Sequence, residues 1–304
     1  MATGTRRAGE RGFRVLVATD GSRSGRAAVG IAAAFPWPRG ATVHGVVARR
    51  GFTGTHTLAA WPGPMWAALD RGLERVRLEA QAVLARRWPG AEVTIVDEPA
   101  VDAILGTARR VRATVIVLGS RGHNLVERFV LGSVSRAVVR GARSPVLVVK
   151  GRARPVRRLV VAVDGSPHAR RAVELVARLR APAGGHATVV RVVEPVRVPS
   201  MGLVPGAVRS AVWAQAEELT AQRVGAARRE IDAAARRLAR AGWAVKPVVR
   251  RGVPLPELLR AVTSARADTL VLGARGVGGV ARLLLGSVAE GALSRSPVSV
   301  LLVR

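Results

Sequence analysis

The sequence VIVLGSRG at residues 115–122, followed by Gly132-Ser133, recurs as TLVLGARG at residues 269–276, followed by Gly286-Ser287. Both copies fit the pattern G-x2-G-x9-G-[ST], and each begins with an apolar run that is typical of a buried strand. Glycines directly after a strand let backbone amides approach an anion closely, and the next helix adds its positive N-terminal end. The repeat therefore predicts two anion-binding loops. The alternative is a pair of tight strand-to-helix turns that hold no ligand.

The remainder of the chain is repeated as well. FRVLVATDGS at residues 13–22 returns as RLVVAVDGS at residues 158–166, and both halves end in Ser-Pro followed by an apolar run. The offset between copies grows from 144 residues (Asp20 to Asp164) to 154 residues (Gly119 to Gly273), so ten residues were added to the second copy. We assign them to the region around residues 195–205. A tandem duplication follows, with domains at residues 1–152 and 153–304.

Within each half, short β-branched runs alternate with stretches of helical period. In the first half the predicted strands are 15–18, 42–47, 92–96, 115–118 and 146–149, and the predicted helices are 24–34, 65–87, 101–111 and 131–140. The second half repeats this order, with an unusually long helix at 207–241. Such alternation predicts an α/β fold with two tandem, doubly wound parallel sheets. Ligands on these sheets bind at the carboxyl ends of the strands, where both aspartates and both glycine loops fall.

These features resemble the universal stress protein family in its tandem two-domain form. The resemblance rests on the D-G-S after the first strand and on the G-x2-G-x9-G-[ST] signature after the fourth, and it extends from Phe13 to Arg304. It implies an adenine nucleotide alpha hydrolase-like fold, with five strands per half in the order 3-2-1-4-5. It also implies that ATP is the ligand, because members with the complete signature bind ATP. Magnesium, where present, would enter with the nucleotide.

The resemblance further implies a role for each matching residue. The aspartates would contact the ribose, one valine in each half would line the adenine, and the glycine loops with their serines would hold the ribose and phosphates. The residues predicted to bind ATP are Thr19, Asp20, Val46, Gly119, Arg121, Gly122, Gly132, Ser133 and Val134 in the first half, and Val163, Asp164, Val192, Gly273, Arg275, Gly276, Gly286, Ser287 and Val288 in the second.

Structural roles are the alternative for several of these residues. Each signature serine could simply cap its helix, and each aspartate could cap the turn that follows its strand. The halves also differ near the signature, because Ser135 corresponds to Ala289 and His123 corresponds to Val277. We expect weaker phosphate contacts in the second half from the first of these differences.

The sequence gives little support to other chemistry. It contains no G-x4-G-K-[ST] phosphate loop, and Lys150 and Lys246 are its only lysines. The five histidines show no ligand spacing and cysteine is absent, so we predict no metal site built from the protein alone. No catalytic residue is predicted. A slow ATPase or phosphotransfer enzyme on the same scaffold is the alternative function.

The formal net charge of +29 is the second unusual property of the chain. Such a charge attracts nucleic acid, which makes a nucleic-acid-associated protein a third reading. However, the arginines are spread along the whole sequence and only 3% of residues are aromatic, which disfavours base-stacking platforms. We therefore predict only nonspecific attraction to nucleic acid.

The location and assembly of the protein follow from its apolar segments. No apolar run reaches the roughly 18 residues needed to span a bilayer, and the basic start at residues 1–12 is interpreted as a disordered tail. We expect a cytoplasmic protein without a membrane partner. The terminal strands of the two halves would be hazardous as exposed edges, so we predict that they pair in an intramolecular pseudo-dimer. A homodimer of two such chains is left open.

Overall fold

The computed structural model describes residues 12–52, 62–121, 131–200, 205–276 and 285–304. The first half contains, in order, β1 (Arg14–Ala18), α1 (Arg23–Ala34), β2 (Thr42–Ala48), a 3-10 turn (Arg49–Phe52), α2 (Gly63–Ala85), β3 (Glu92–Val96), α3 (Ala100–Arg110), β4 (Val115–Gly119), α4 (Ser133–Gly141) and β5 (Val146–Val149). The second half contains β6 (Arg158–Ala162), α5 (Pro167–Arg178), β7 (His186–Val193), α6 (Gly206–Arg240), β8 (Ala244–Arg251), α7 (Pro254–Ser264), β9 (Thr269–Gly273), α8 (Ser287–Arg295) and β10 (Ser299–Val303).

The strands form one ten-stranded sheet in the order β3-β2-β1-β4-β5-β10-β9-β6-β7-β8. Counted within each half, this order is 3-2-1-4-5, and all pairings inside a half are parallel. The predicted α/β fold and strand order are therefore confirmed. β5 and β10 pair antiparallel, with Leu147 opposite Leu301. Because that pair is antiparallel, the carboxyl ends of the strands point to opposite edges of the sheet in the two halves.

Two layers of helices cover the sheet. Alternate residues of each strand face opposite sides, so Val15 and Val17 belong to one hydrophobic core and Leu16 and Ala18 to the other. Helices α1, α2, α5 and α6 pack on the first core, and α3, α4, α7 and α8 pack on the second. Both cores run without interruption from one half into the other, through residues such as Leu147 and Leu301 on the first side.

The extra length of the second half is found in a helix. His44 pairs with Glu92 across β2 and β3, whereas His186 pairs with Ala244 across β7 and β8, so the spacing rises from 48 to 58 residues. α6 has 35 residues and α2 has 23. The connection before α6 (residues 194–205) is no longer than the one before α2 (residues 49–62). The assignment of the added residues to the loop around 195–205 is therefore wrong, because they extend the helix that follows it.

The segment between the halves runs from the end of β5 at Val149 to the start of β6 at Arg158. The domain boundary at residues 152 and 153 falls within it and stays a prediction. Most of the predicted tail, residues 1–11, lies outside the described residues. Among the helices that are described, none is both long and apolar enough to cross a membrane.

Candidate functional site

The D-G-S segments form identical turns at the carboxyl ends of β1 and β6. Asp20 Oδ1 accepts a hydrogen bond of 3.0 Å from the Ser22 amide, and Asp164 Oδ1 accepts one of 3.0 Å from the Ser166 amide. The intervening glycines have φ angles of 74° and 77°, a region that suits glycine. Each aspartate therefore caps its turn through one carboxylate oxygen, as the structural alternative proposed. The second oxygen of Asp164 faces the glycine loop.

The first glycine of each signature allows a strand end to touch a helix. A Cβ atom at Gly119 would lie 2.6 Å from Ser24 Oγ, and one at Gly273 would lie 2.8 Å from His168 Cβ. The second glycine of the second signature has a different neighbour. A Cβ atom at Gly276 would lie 2.7 Å from Asp164 Oδ2, so glycine is needed for the carboxylate to stand beside the loop. Its counterpart Gly122 lies outside the described residues.

The third glycine of each signature begins a helix. Gly132 and Gly286 are the N-cap residues of α4 and α8, and their amides donate hydrogen bonds of 2.8 and 2.9 Å to the Ser120 and Ala274 carbonyls. Ser133 and Ser287 follow as exposed first residues of the helices, and in these described segments neither side chain forms a cap. The N-cap alternative for the serines is therefore wrong. The first amides of both helices have no partner within the helix and can meet an anion.

Ser135 has a structural bond that the sequence did not reveal. Its buried hydroxyl donates a 2.7 Å hydrogen bond to the Gly119 carbonyl, which fastens α4 to the end of β4. Its replacement by Ala289 in the second half therefore removes a bond between helix and strand. The expectation that this difference weakens phosphate contacts is not supported by the geometry.

A cleft of about 650 Å³ opens at the carboxyl ends of β6, β7 and β9. This volume lies within the range of small-molecule sites. The cleft collects the nine residues that the sequence singled out in the second half, namely Val163, Asp164, Val192, Gly273, Arg275, Gly276, Gly286, Ser287 and Val288. They come from β7, β9 and the start of α8 and from the turns that follow β6 and β9, and the sheet topology brings them together.

The apolar wall of the cleft corrects one correspondence between the halves. Val46 lies opposite Ala18 in the first half, and the equivalent partner of Ala162 in the second half is Val190. Val190 is fully buried and lines the cleft together with Val192. Since strand side chains alternate with a period of two, both valines share one face. Val192 therefore lines the cleft as predicted. The residue of the second half that is equivalent to Val46, however, is Val190.

The polar side of the cleft carries three arginines. Arg275 was predicted, whereas Arg191 on β7 and Arg223 on α6 were missed. Arg191 Nε lies 3.4 Å from Glu230 Oε2, and Arg223 donates a 3.5 Å hydrogen bond to the Glu194 carbonyl. Arg223 has no arginine counterpart in the first half. Val76 and Glu230 face the equivalent glycines Gly21 and Gly165, and the residues seven positions before them are Leu69 and Arg223. In a chain with this many arginines, no sequence signal distinguishes these two from the others.

The first half places its predicted residues in the same framework. Thr19 and Asp20 follow β1, and the Thr19 amide donates a 3.1 Å hydrogen bond to the Val46 carbonyl. Ser24 Oγ donates a hydrogen bond to the Arg121 carbonyl, which connects the start of the glycine loop to α1. Gly119 ends β4, and Gly132, Ser133 and Val134 begin α4. Among the described residues of the whole chain, no cluster of His, Cys, Asp or Glu is suited to hold a metal ion.

Comparison with known proteins gives concordant matches. The model of the universal stress protein family matches residues 13–150 and again residues 155–304. Universal stress protein Rv2005c of Mycobacterium tuberculosis is 31% identical over 254 residues, which are 75% of this chain and 74% of that protein. Universal stress protein Rv1996 of the same organism is 28% identical over 207 residues, covering 64% and 59% of the two chains.

Two solved structures share the complete architecture. A universal stress protein from Archaeoglobus fulgidus aligns with a TM-score of 0.61 at 20% identity, covering 96% of both chains. A structure from Pseudomonas aeruginosa aligns with a TM-score of 0.53 at 16% identity, covering 97% of this chain and 94% of the other. At these identities the structural likeness supports the fold alone.

Proposed function

Because this chain belongs to the universal stress protein family, we propose that it binds ATP in two related sites, one in each half, and serves a regulatory role in the stress response. One observation carries the proposal. The nine residues that the ATP signature selects in the second half all line a single cleft of about 650 Å³. In the described part of the first half, Gly119, Gly132 and Ser133 stand at the equivalent positions, at the end of β4 and the start of α4.

The lining of the second cleft suits each part of an adenine nucleotide. Val190, Val192, Pro254 and Leu258 offer an apolar wall for the base. The Asp164 carboxylate, which faces the glycine loop, is an acceptor for ribose hydroxyl groups. The first turn of α8 offers free amides to the phosphates, where the partial positive charge of the helix favours an anion.

Arginine side chains add charge at the polar side of this cleft. Arg275 stands in the glycine loop, Arg191 on β7 is paired with Glu230, and Arg223 lies on α6. A guanidinium group remains charged at any physiological pH and can bind phosphate oxygens in a bidentate manner. The lining also contains Asp164 and Glu194, so its charged residues sum to +1, and this small positive charge favours a phosphorylated ligand over a neutral nucleoside.

The pseudo-dimer is part of the proposal. The terminal strands of the two halves pair along β5 and β10, and both cores continue through that pair. A chain that supplies both partners of this contact has no need of a second chain to cover β5 and β10. The functional unit that we propose is therefore one chain with two nucleotide sites.

Calorimetric titration with ATP tests the binding proposal. The native chain should bind two equivalents, and Gly132→Val and Gly286→Val should each remove one. Both glycines have φ angles (−60° and −67°) that any residue can adopt, so valine fills the phosphate space without straining the backbone. Titrations with AMP, ADP and a cyclic nucleotide would then rank the ligands. No heat of binding at millimolar ATP would contradict the proposal.

A further inference from the structure

The last strand of each half is followed directly by a cation that contacts the other half. Lys150 directly follows β5, and Arg304 directly follows β10. The Lys150 ammonium donates hydrogen bonds of 3.3 and 2.9 Å to the Ser294 and Ser296 carbonyls, at the C-terminal end of α8. The two positions are equivalent, since Val149 pairs with Gly119 and Val303 pairs with Gly273.

Arg304 makes the reciprocal contact. One of its guanidinium nitrogens donates hydrogen bonds of 2.8 and 2.7 Å to the Val139 and Arg140 carbonyls, in the last turn of α4. The antiparallel pairing of β5 with β10 explains this exchange. α4 begins at the carboxyl edge of its own half and runs back toward the opposite edge, where the last strand of the other half ends.

The two helices that receive these cations are the helices of the candidate anion sites. α4 begins with Gly132-Ser133, and α8 begins with Gly286-Ser287. The last carbonyl groups of a helix have no partner within it, and a cation bound there offsets the negative end of the helix dipole. The positive end, where a phosphate would bind, is then no longer opposed by uncompensated negative charge.

We infer that Lys150 and Arg304 are positioning residues for the anion site of the opposite half, with Lys150 supporting the second site and Arg304 the first. The inference rests on the proposed function, because it concerns the same two sites. Each site is then complete only when both halves are joined through β5 and β10. Neither residue touches the nucleotide; each acts through the far end of the helix that does.

Backbone bonds also connect each cation to the glycine loop of its own half. The Ser120 amide donates a 2.9 Å hydrogen bond to the Val149 carbonyl, and the Ala274 amide donates a 2.7 Å bond to the Val303 carbonyl. The glycine loop of the first site is therefore connected to the second site by successive contacts, from Ser120 to Val149 along the backbone and from the neighbouring Lys150 to the end of α8. Burial, aided by the Arg121 guanidinium, lowers the pKa of Lys150 to about 8. Its other named partners, Ser294, Ser296 and Ser299, do not titrate in this range.

The test uses the full chain with one site blocked at a time. Gly132→Val leaves the second site open, and Gly286→Val leaves the first. In each background, ATP affinity is measured by calorimetry with Lys150→Met or Arg304→Met added. We expect Lys150→Met to weaken the second site about two- to tenfold and to spare the first, and Arg304→Met to do the reverse. Lys150→Arg and Arg304→Lys should keep native affinity, because each places at one position the residue that serves at the other.

A pH series tests the role of native Lys150 directly, and Lys150→Arg serves only as its control. Lys150 loses its charge as the pH rises through about 8. In the Gly132→Val background, ATP affinity should therefore fall between pH 7 and pH 9, and adding Lys150→Arg should remove that fall. If either methionine variant weakens both sites equally, or neither site, the cations only strengthen the interface and the inference is overturned. If no variant binds ATP at all, the proposed function fails and this inference fails with it.

Discussion

Asp164 and Gly276 approach each other so closely in the cleft of the second half that there is no room for a side chain at residue 276. The carboxylate uses one oxygen to cap its turn and directs the other at the glycine, where a Cβ atom would lie 2.7 Å away. Single-residue roles of this kind explain why a glycine pattern can identify a site from sequence. The glycine pattern marks positions where any larger side chain would clash with a neighbouring residue. Such a clash is independent of the amino-acid composition of the rest of the chain.

The first prediction is for Gly276→Ala. The added methyl group must displace the Asp164 carboxylate or the loop, so we expect ATP affinity at the second site to fall roughly tenfold or more while the first site is unchanged. Calorimetry checks both sites in one titration. Gly225→Ala is the matched control, because a Cβ atom there meets no other atom within 4 Å. Unchanged affinity in Gly276→Ala would show that the close approach is irrelevant to binding.

His168 is a titratable residue at a position where the first half has Ser24. It packs against Gly273 as Ser24 packs against Gly119. Burial lowers the pKa of His168, and nearby arginines, including Arg275, act in the same direction. Because the folded-state pKa is depressed, the folded protein favours the neutral imidazole. The resulting stability is present above the unfolded pKa of about 6.5 and is lost as the pH falls below it.

The second prediction follows from the lowered pKa of His168. Without nucleotide, the melting temperature of the native chain should fall between pH 7.5 and pH 5.5 by more than that of His168→Ser, which installs the residue of the first half. Thermal unfolding monitored by circular dichroism measures both. His44→Ser, on β2, serves as a control for the loss of a histidine elsewhere in the sheet. Identical pH profiles for the native chain and His168→Ser would refute the prediction.

At the scale of elements, the helices were predictable because their apolar faces and end signals are local. The predicted helix 207–241 differs by one residue at each end from α6. Two errors had a different origin. The added residues were assigned to a proline-containing loop, although they extend α6, and Val192 was matched to Val46 in place of Val190. Both errors concern which residue of the second half occupies the same place in the fold as a given residue of the first half. The pairing of the strands determines this correspondence.

The third prediction concerns glycines inside two of these helices. Gly72 in α2 and Gly225 in α6 have open space where a Cβ atom would stand. Replacing either by alanine should raise the free energy of unfolding by about 0.5–1 kcal/mol, because alanine loses less backbone entropy on folding. Chemical denaturation measures the change. Gly21→Ala is the contrasting variant and should destabilise, because φ is 74° there and the Cβ atom would lie 2.5 Å from Val76 Cγ2. A loss of stability in both helix variants would contradict the explanation.

At the scale of the whole molecule, the seam between β5 and β10 joins the halves. Val146, Leu147 and Val148 face Leu302, Leu301 and Val300, and all six are almost completely buried. The sequence indicated this pairing through the apolar character of both terminal strands. It gave no sign of the crossed contacts of Lys150 and Arg304, because a lysine and an arginine after two strands look like ordinary surface residues.

The fourth prediction is for the separated halves, residues 1–152 and 153–304. Each would expose its terminal strand and the cut surfaces of both cores, so each should self-associate, and mixing the two should restore a one-to-one complex. Light scattering at high concentration measures the mass. The shared-edge arrangement would be contradicted if both halves stayed monomeric and soluble. Leu301→Ala in the full chain provides a milder test and should cost about 2–5 kcal/mol of stability.

The antiparallel seam also determines how other molecules can reach the chain. Since the strands of the two halves end at opposite edges of one sheet, the two candidate sites lie at opposite edges of the molecule. A protein partner that binds over one ligand-filled site cannot also cover the site at the opposite edge. Two such partners could instead bind one chain without touching each other, one at each edge of the sheet. The number of partners bound would then depend on how many of the two sites hold a ligand.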